Sequence, residues 1–147
     1  NNPYINKFVE NLRKKYGNSV IYKEGALREI FITLKKGESV GMLIDQSVIP
    51  SEGIQIDFLG IPAWCMKVPV LIAKKTNIPL VPIFIKRDKY GHTIELFPEI
   101  HFSKTSNNNL QMDVKKINSY IEQYIIKNPT EWLWIHRKWK KRTTAPS

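Results

Sequence analysis

Short apolar segments with two different repeat periods alternate along the chain, and this alternation constrains the fold more than any other feature of the sequence. Apolar side chains that recur every three or four residues predict amphipathic helices, here at 3–16, 27–34, 68–77 and 114–125. Continuous or alternating apolar runs predict strands, here at 19–23, 39–44, 54–58, 79–87 and 93–100. Helices interleaved with strands require crossover connections. The sequence therefore predicts an α/β class with a mixed, mostly parallel sheet flanked by helices, including one antiparallel hairpin.

The length and composition fit one globular domain over residues 1–147, which ends in a basic, Trp-rich tail at 129–147. No apolar run reaches the roughly 18 residues that a membrane-spanning helix needs. The chain has a single cysteine, Cys65, which excludes an internal disulfide framework. No activating base lies near Cys65 in the sequence, so nothing there indicates a nucleophilic thiol. The three histidines are scattered and no CxxC or HExxH motif is present, so we expect neither a metal nor a cofactor.

The formal charge of +10 is unevenly distributed, because five cationic side chains lie within the tail. They are Arg137, Lys138, Lys140, Lys141 and Arg142, interleaved with tryptophans. Such a cluster points to an anionic partner, either nucleic acid, a membrane surface or a phosphorylated small molecule. The alternative is a solvated basic tail with no specific partner.

Asp45 and Gln46 follow directly after the most continuously apolar strand candidate, 39–44. In open α/β sheets, ligands bind beyond the carboxyl ends of the strands, so these two residues are candidates for a site. Asp45 could hold a cation, orient a substrate hydroxyl or pair with an arginine. The alternative is an aspartate that only forms a turn at the end of a strand.

Two arginines are further candidates for binding. Arg28 lies near the start of the second predicted helix, where its charge could join the helix dipole in binding a phosphate. Arg13 lies near the end of the first helix, where a cation also simply favours the helix dipole. An exposed arginine without a ligand is the alternative for both.

Four segments, taken in order, resemble the lipid A biosynthesis acyltransferases, the bacterial lauroyl/myristoyl transferase family. They are "NNPYINKFVENLRKKYG" at 1–17, "GALREIFITLKKGESVGMLIDQ" at 25–46, "IDFLGIPAWCMKVPVLIAKKTNIPLVPIFI" at 56–85 and "NPTEWLWIHRKWKKR" at 128–142. The last is similar to the family's closing Pro-x-x-Trp-x-Trp-x-His-x-Arg-Trp-Lys signature. The resemblance implies a partial glycerolipid acyltransferase-like fold.

The family's catalytic dyad, a histidine followed five positions later by an acidic residue, has no counterpart in this sequence. His92 is followed at that offset by Phe97, His101 by Ser106 and His136 by Lys141. In the family the dyad and a membrane anchor precede the region that Asn1 begins. The resemblance therefore implies the C-terminal part of a single acyltransferase domain, without its general base and inactive alone.

The resemblance implies transfer of a fatty acyl chain from acyl carrier protein to a hydroxyacyl group of the lipid A precursor, a step in lipopolysaccharide biosynthesis. It places the enzyme at the cytoplasmic face of the bacterial inner membrane. Arg28, Asp45 and Gln46, with Arg13 as a weaker candidate, would bind substrate. The tail cations would contact the membrane surface or a phosphate, while Trp132 and Trp134 would pack against the domain.

Two other functions stay open at this point. Basic residues interleaved with aromatic ones also suit a nucleic-acid-binding module, although the chain has no recognised nucleic-acid motif and no nucleic acid is expected as a partner. The second alternative keeps the acyl transfer but directs it to another glycolipid.

Overall fold

The computed structural model of the protein describes residues 2–102 and 109–140. The chain divides into two compact units, Asn1–Met42 and Leu43–Ser147. The first unit holds helices α1 (Pro3–Lys14) and α2 (Ala26–Lys35). The second holds, in chain order, β1 (Gly53–Phe58), β2 (Ile61–Met66), α3 (Val68–Thr76), β3 (Ile83–Asp88), β4 (Gly91–Leu96) and α4 (Leu110–Lys127). Short 3₁₀ turns lie at Pro50–Glu52 and Pro129–Glu131.

The four predicted helices are confirmed, and local signals explain their ends. The Asn2 side chain accepts hydrogen bonds from the backbone N–H groups of Tyr4, at 3.0 Å, and Ile5, at 3.4 Å, which caps α1. Helix α3 stops at Asn77, which adopts the left-handed conformation (φ 61°) typical of a helix C-terminus. In the first unit, α1 has no buried residue, and α2 buries only Ile30.

The prediction of a mostly parallel sheet is wrong, because both sheets are antiparallel. Strands β1 and β2 form one two-stranded sheet, and β3 and β4 form another. Each pair is joined by a two-residue turn, and such a short connection permits only antiparallel pairing. The apolar runs at 19–23 and 39–44, predicted as strands, form neither strands nor helices.

The turn between β1 and β2 explains why β2 was not predicted from the sequence, where no element was assigned between 58 and 68. Leu59 and Gly60 both have positive φ, 52° and 79°, as a type I′ hairpin turn requires. The Glu122 carboxylate accepts a hydrogen bond from Leu59 N at 2.6 Å and so holds this turn against α4. Pro62 lies inside β2, where a proline normally argues against a strand.

The other sheet agrees better with the sequence. The predicted hairpin at 79–100 is present, although β3 begins only after Pro82, which cannot donate a ladder hydrogen bond. Beyond the hairpin, Leu80 and Ile100 form an isolated antiparallel bridge, with hydrogen bonds of 3.0 Å and 2.7 Å between their backbones.

The core of the second unit forms where α4 packs on the β1–β2 hairpin. Helix α4 buries six side chains, namely Val114, Ile117, Asn118, Ile121, Tyr124 and Ile125. Strand β1 buries Ile56 and Phe58 and exposes Gln55 and Asp57, as the predicted alternation required. The Tyr124 hydroxyl donates a 3.0 Å hydrogen bond to the carbonyl of Ile85, which ties α4 to the second sheet.

Candidate functional site

Asp45 and Gln46 lie at a bend that follows the irregular segment 39–44. The Asp45 side chain is half-buried, and Gln46 is exposed. The bend is fixed on its C-terminal side, because Val48 N donates a 3.4 Å hydrogen bond to the carbonyl of Trp64 on β2. We call residues 45–48 the Asp-Gln corner. The predicted strand before this corner is not formed, so the corner does not lie at the carboxyl end of a sheet strand.

Close backbone packing holds the corner against the β1–β2 hairpin. A Cβ atom on Gly53 would lie 2.6 Å from Cγ2 of Val48 and 2.9 Å from the carbonyl oxygen of Cys65. Only glycine fits such an approach, because non-bonded carbon atoms need about 3.5 Å. Gly53 therefore lets the corner lie directly on the hairpin.

Lys138 joins the C-terminal tail to this corner. The side chain is fully buried, and its ammonium Nζ lies 3.4 Å from the carbonyl oxygen of Gln46. The same Nζ lies 4.7 Å from the centre of the Phe58 ring, within the distance for a cation–π contact. A buried ammonium needs such partners, since burial removes its water. Lys138 thus links two segments that lie 92 residues apart in the sequence.

This burial corrects the prediction that Lys138 belongs to an exposed basic cluster. A side chain with no exposed surface does not reach a membrane or a phosphate from outside. Arg137 and Lys140 are exposed, as the prediction for the tail cations assumed. Lys141 and Arg142 lie outside the described residues.

Two indole rings pack against Phe58, whose own ring contacts the Lys138 ammonium. The ring centres of Trp132 and Trp139 lie 6.1 Å and 6.0 Å from that of Phe58, and the two indoles meet edge to face at 5.8 Å. The Trp139 indole N–H also donates a 3.0 Å hydrogen bond to the carbonyl of Phe58. Trp132 therefore packs against the domain as expected, whereas Trp134 leaves 53% of its surface exposed. The packing role of Trp139 was not predicted from the sequence.

Cys65 lies on β2 in the same core and has no exposed surface. Burial raises the pKa of its thiol, because a thiolate is poorly solvated there, and the nearby charge of Lys138 opposes this shift. A buried thiol with a raised pKa is unreactive. Cys65 therefore serves as a packing residue, in line with the lack of a base next to it in the sequence.

The two predicted arginines belong to the first unit. Arg28 lies in the first turn of α2 and Arg13 in the last turns of α1, and both side chains are exposed. Their exposure leaves either side chain accessible to an anionic ligand. That Arg28 and Asp45 line one cleft stays a prediction.

Residues 2–102 and 109–140 contain neither a cluster of potential metal ligands nor a helix that could span a membrane. Within them, no three His, Cys, Asp or Glu side chains come close enough together to hold a metal ion. None of the helices there has both the length and the apolar character needed to cross a membrane.

Comparison with known proteins relates these features to one family. The model of the family described as bacterial lipid A biosynthesis acyltransferase matches residues 1–141. The chain is 25% identical over 149 residues to the lipid A biosynthesis palmitoleoyltransferase of Escherichia coli, covering 99% of this chain and 48% of that protein. It is 22% identical over 140 residues to the lipid A biosynthesis acyltransferase of Haemophilus influenzae, covering 91% of this chain and 43% of that protein.

A third relative, the lipid A biosynthesis acyltransferase 2 of Shigella flexneri, is 23% identical over 146 residues, which cover 96% of this chain and 45% of the relative. The chain therefore spans less than half the length of the curated relatives it matches. The family match includes α1, α2, the Asp-Gln corner, the core and the tail up to Lys141. The chain belongs to the bacterial lipid A biosynthesis acyltransferase family.

Proposed function

We propose that this chain is the C-terminal part of an acyltransferase that moves a fatty acyl chain from acyl carrier protein to a hydroxyacyl group of the lipid A precursor. The observation that carries the proposal is the family match over residues 1–141. It is supported by relatives named as lipid A biosynthesis acyltransferases, each matched along at least 91% of this chain.

The proposed reaction needs a general base that this chain does not supply. A histidine, oriented by an acidic residue, removes the proton from the acceptor hydroxyl. The resulting oxygen attacks the thioester carbonyl, an ester bond forms, and the carbon–sulfur bond breaks to release the carrier thiol. No histidine in the sequence has an acid at the family's offset, so we assign the dyad to a polypeptide outside residues 1–147.

We assign substrate binding to Asp45, Gln46 and Arg28, with Arg13 as a weaker candidate. The Asp45 carboxylate and the Gln46 amide would shape the pocket by hydrogen bonds, and Arg28 would bind a phosphate of the acceptor. Support for the corner comes from Lys138, which donates to the Gln46 carbonyl at 3.4 Å and so limits its movement. A fixed backbone there gives the neighbouring side chains a defined direction.

The exposed tail cations suit the same location. The acceptor carries phosphates and resides in a bilayer, so cations beside the anionic cytoplasmic leaflet of the inner membrane would contribute about 1 kcal/mol each. Arg137 and Lys140 are exposed and fit this role, and we extend it to Lys141 and Arg142. Acyl carrier protein is acidic, which suits the same cations.

Substitution tests the binding residues. In the full-length enzyme, Asp45→Ala and Arg28→Ala should each lower kcat/KM for acyl transfer roughly 10- to 100-fold, the equivalent of one lost hydrogen bond to a charged group. Controls are Glu38→Ala and Lys35→Ala, which remove one exposed charge of each sign near the end of α2. Unchanged transfer by a folded Asp45→Ala or Arg28→Ala enzyme would remove that residue from the site.

An assay of residues 1–147 by themselves tests the assignment of the general base to another part of the enzyme. When residues 1–147 alone are mixed with acyl-acyl carrier protein and lipid A precursor, the acyl group should stay on the carrier protein. Acyl transfer should appear only after the histidine-containing part of the family enzyme is added. Mass spectrometry of the lipid product reads out both cases. Transfer by residues 1–147 alone would contradict the assignment of the dyad.

A further inference from the structure

Helix α1 carries an apolar stripe that nothing covers in the first unit. Ile5, Phe8, Val9 and Leu12 follow the helical repeat, yet they leave 60%, 64%, 36% and 51% of their surfaces exposed. No residue of α1 is buried. A helix in water normally buries such a stripe, so this face requires an apolar environment that the unit itself does not supply.

The charges of α1 show which environment fits that stripe. At about 100° per residue, the arc from Tyr4 to Val9 spans roughly 140° of the helix circumference. Lys7 lies about 60° beyond the Tyr4 margin of the arc, and Arg13 lies about 40° beyond the Val9 margin. Helix geometry thus places a long cationic side chain on each side of the apolar face.

The acidic residue of α1 lies on the opposite side of the helix. Glu10 points away from the apolar arc, and its carboxylate pairs with the Lys14 ammonium at 2.5 Å. Tyr4 at one margin of the arc leaves 83% of its surface exposed, and Tyr16, two residues after the end of α1, leaves 81%. Aromatic residues beside cations are typical of the membrane–water interface.

We propose that α1 lies in the plane of an anionic lipid surface, with its apolar arc in the acyl boundary and Lys7 and Arg13 among the lipid phosphates. An apolar face between cationic margins, with its acid on the far side, is the pattern of an interfacial helix. A negative lipid surface attracts cations on both sides of such a face.

This contact differs from the one assigned to the tail, since it combines apolar burial with charge. A helix of 12 residues is about 18 Å long, too short to span a bilayer but long enough to lie in its surface. The inference rests on the proposed function only in that the acceptor is a membrane lipid. It names the part of the first unit that brings the enzyme to that lipid.

Flotation with lipid vesicles tests the proposal without any acyl acceptor or donor. The 147-residue chain should float with vesicles containing phosphatidylglycerol and remain largely unbound with phosphatidylcholine alone. Phe8→Ser with Leu12→Ser should lower the partition coefficient at least tenfold. The exchange Phe8→Leu with Leu12→Phe, which keeps the face apolar, should retain binding. Asn6→Ser on the far side serves as the matched polar control.

Two charge variants separate α1 from the tail. The double variant Lys7→Gln, Arg13→Gln should bind anionic vesicles more weakly. In a chain that carries Arg137→Gln and Lys140→Gln, the Phe8→Ser and Leu12→Ser substitutions should still reduce vesicle binding. Circular dichroism checks folding, and α1 buries no residue whose loss would unfold the core.

Three results would overturn the proposal. The first is unchanged flotation of the Phe8→Ser, Leu12→Ser variant. The second is equal binding to neutral and anionic vesicles. The third is self-association of the chain that the same double substitution abolishes, because a second copy would then cover the face. Acyl transfer is measured separately, so failure here leaves the proposed function standing, and the reverse also holds.

Discussion

Helices α1 and α4 have the same apolar repeat but opposite fates. Helix α4 buries six side chains against β1 and the rest of the core, whereas α1 buries none. Both helices begin at an asparagine whose side chain caps the first turn. Periodicity therefore specifies a helix and its apolar face, while the rest of the structure determines what covers this face.

The surroundings of the two helices explain the difference. Helix α4 lies against a hairpin that presents Ile56 and Phe58, and Glu122 and Tyr124 each hydrogen bond to a backbone group of that unit. The first unit offers α1 no sheet, because the apolar run at 19–23 forms no strand. An apolar face beside such an irregular segment remains open.

The largest effect separates two phenylalanines. Phe58→Ala should lower the free energy of unfolding by about 3–5 kcal/mol, because Phe58 is fully buried and its removal leaves a cavity. Phe8→Ala on α1 should change it by less than about 0.5 kcal/mol, as for other exposed positions. Urea unfolding followed by circular dichroism measures both. A similar loss of unfolding free energy in both variants would contradict the difference in burial between Phe58 and Phe8.

The next effect separates two lysines of the tail. Lys138→Ala should destabilise the second unit by about 1–3 kcal/mol, since it leaves the Gln46 carbonyl without its ammonium partner and opens space beside Phe58. Lys140→Ala removes an exposed charge two residues away and should be nearly neutral. The same urea titration compares them. A neutral Lys138→Ala variant would show that the tail does not hold the Asp-Gln corner.

A smaller effect tests one polar contact of α4. Tyr124→Phe removes the hydroxyl that donates to the Ile85 carbonyl at 3.0 Å and should cost about 0.5–1.5 kcal/mol. The ring stack on Phe84, with centres 4.2 Å apart, should remain. Tyr120→Phe on the same helix is the control. Equal stability of wild type and Tyr124→Phe would mean that this hydroxyl adds nothing to the other contacts that hold α4.

The smallest effect concerns pH at the turn between β3 and β4. Hydrogen bonds from Tyr90 N and the Thr93 hydroxyl lower the pKa of Asp88 below its ordinary 3.8. A lowered pKa stabilises the fold above the unfolded pKa, and this contribution is lost as the pH falls through the folded value. Asp88→Asn should therefore flatten the loss of stability below about pH 4. Parallel pH curves for wild type and variant would contradict this.

Local patterns were sufficient to predict the helices and the β3–β4 hairpin, but not the pairing of β1 with β2. The cap at Asn2, the stop at Asn77 and the apolar repeat of α4 involve residues close in sequence. Strand pairing joins segments that are distant in the sequence. The apolar run at 39–44 therefore suggested a strand, although the described residues offer it no partner strand. Strand β2 was missed because Pro62 and a turn with positive φ at Leu59 argue for a loop.

The candidate site was predictable in part. Asp45 and Gln46 were identified from their position after an apolar run, although that run is not a strand. The role of Lys138 was beyond sequence reasoning, because a lysine among five cations reads as exposed. The only signal was its place beside Trp139, whose ring packs on Phe58. Burial of a charge depends on neighbours 80 or more residues away, which no local pattern encodes.

Hydrogen exchange read by mass spectrometry tests the contrast between the two helices most directly, with peptides from α1 and α4 followed in buffer and with phosphatidylglycerol vesicles. We expect α4 amides to exchange slowly in both conditions, and α1 amides to exchange quickly in buffer and slowly on the vesicles. Slow exchange of α1 in buffer, equal to that of α4, would mean that protein already covers its apolar face and would contradict the account.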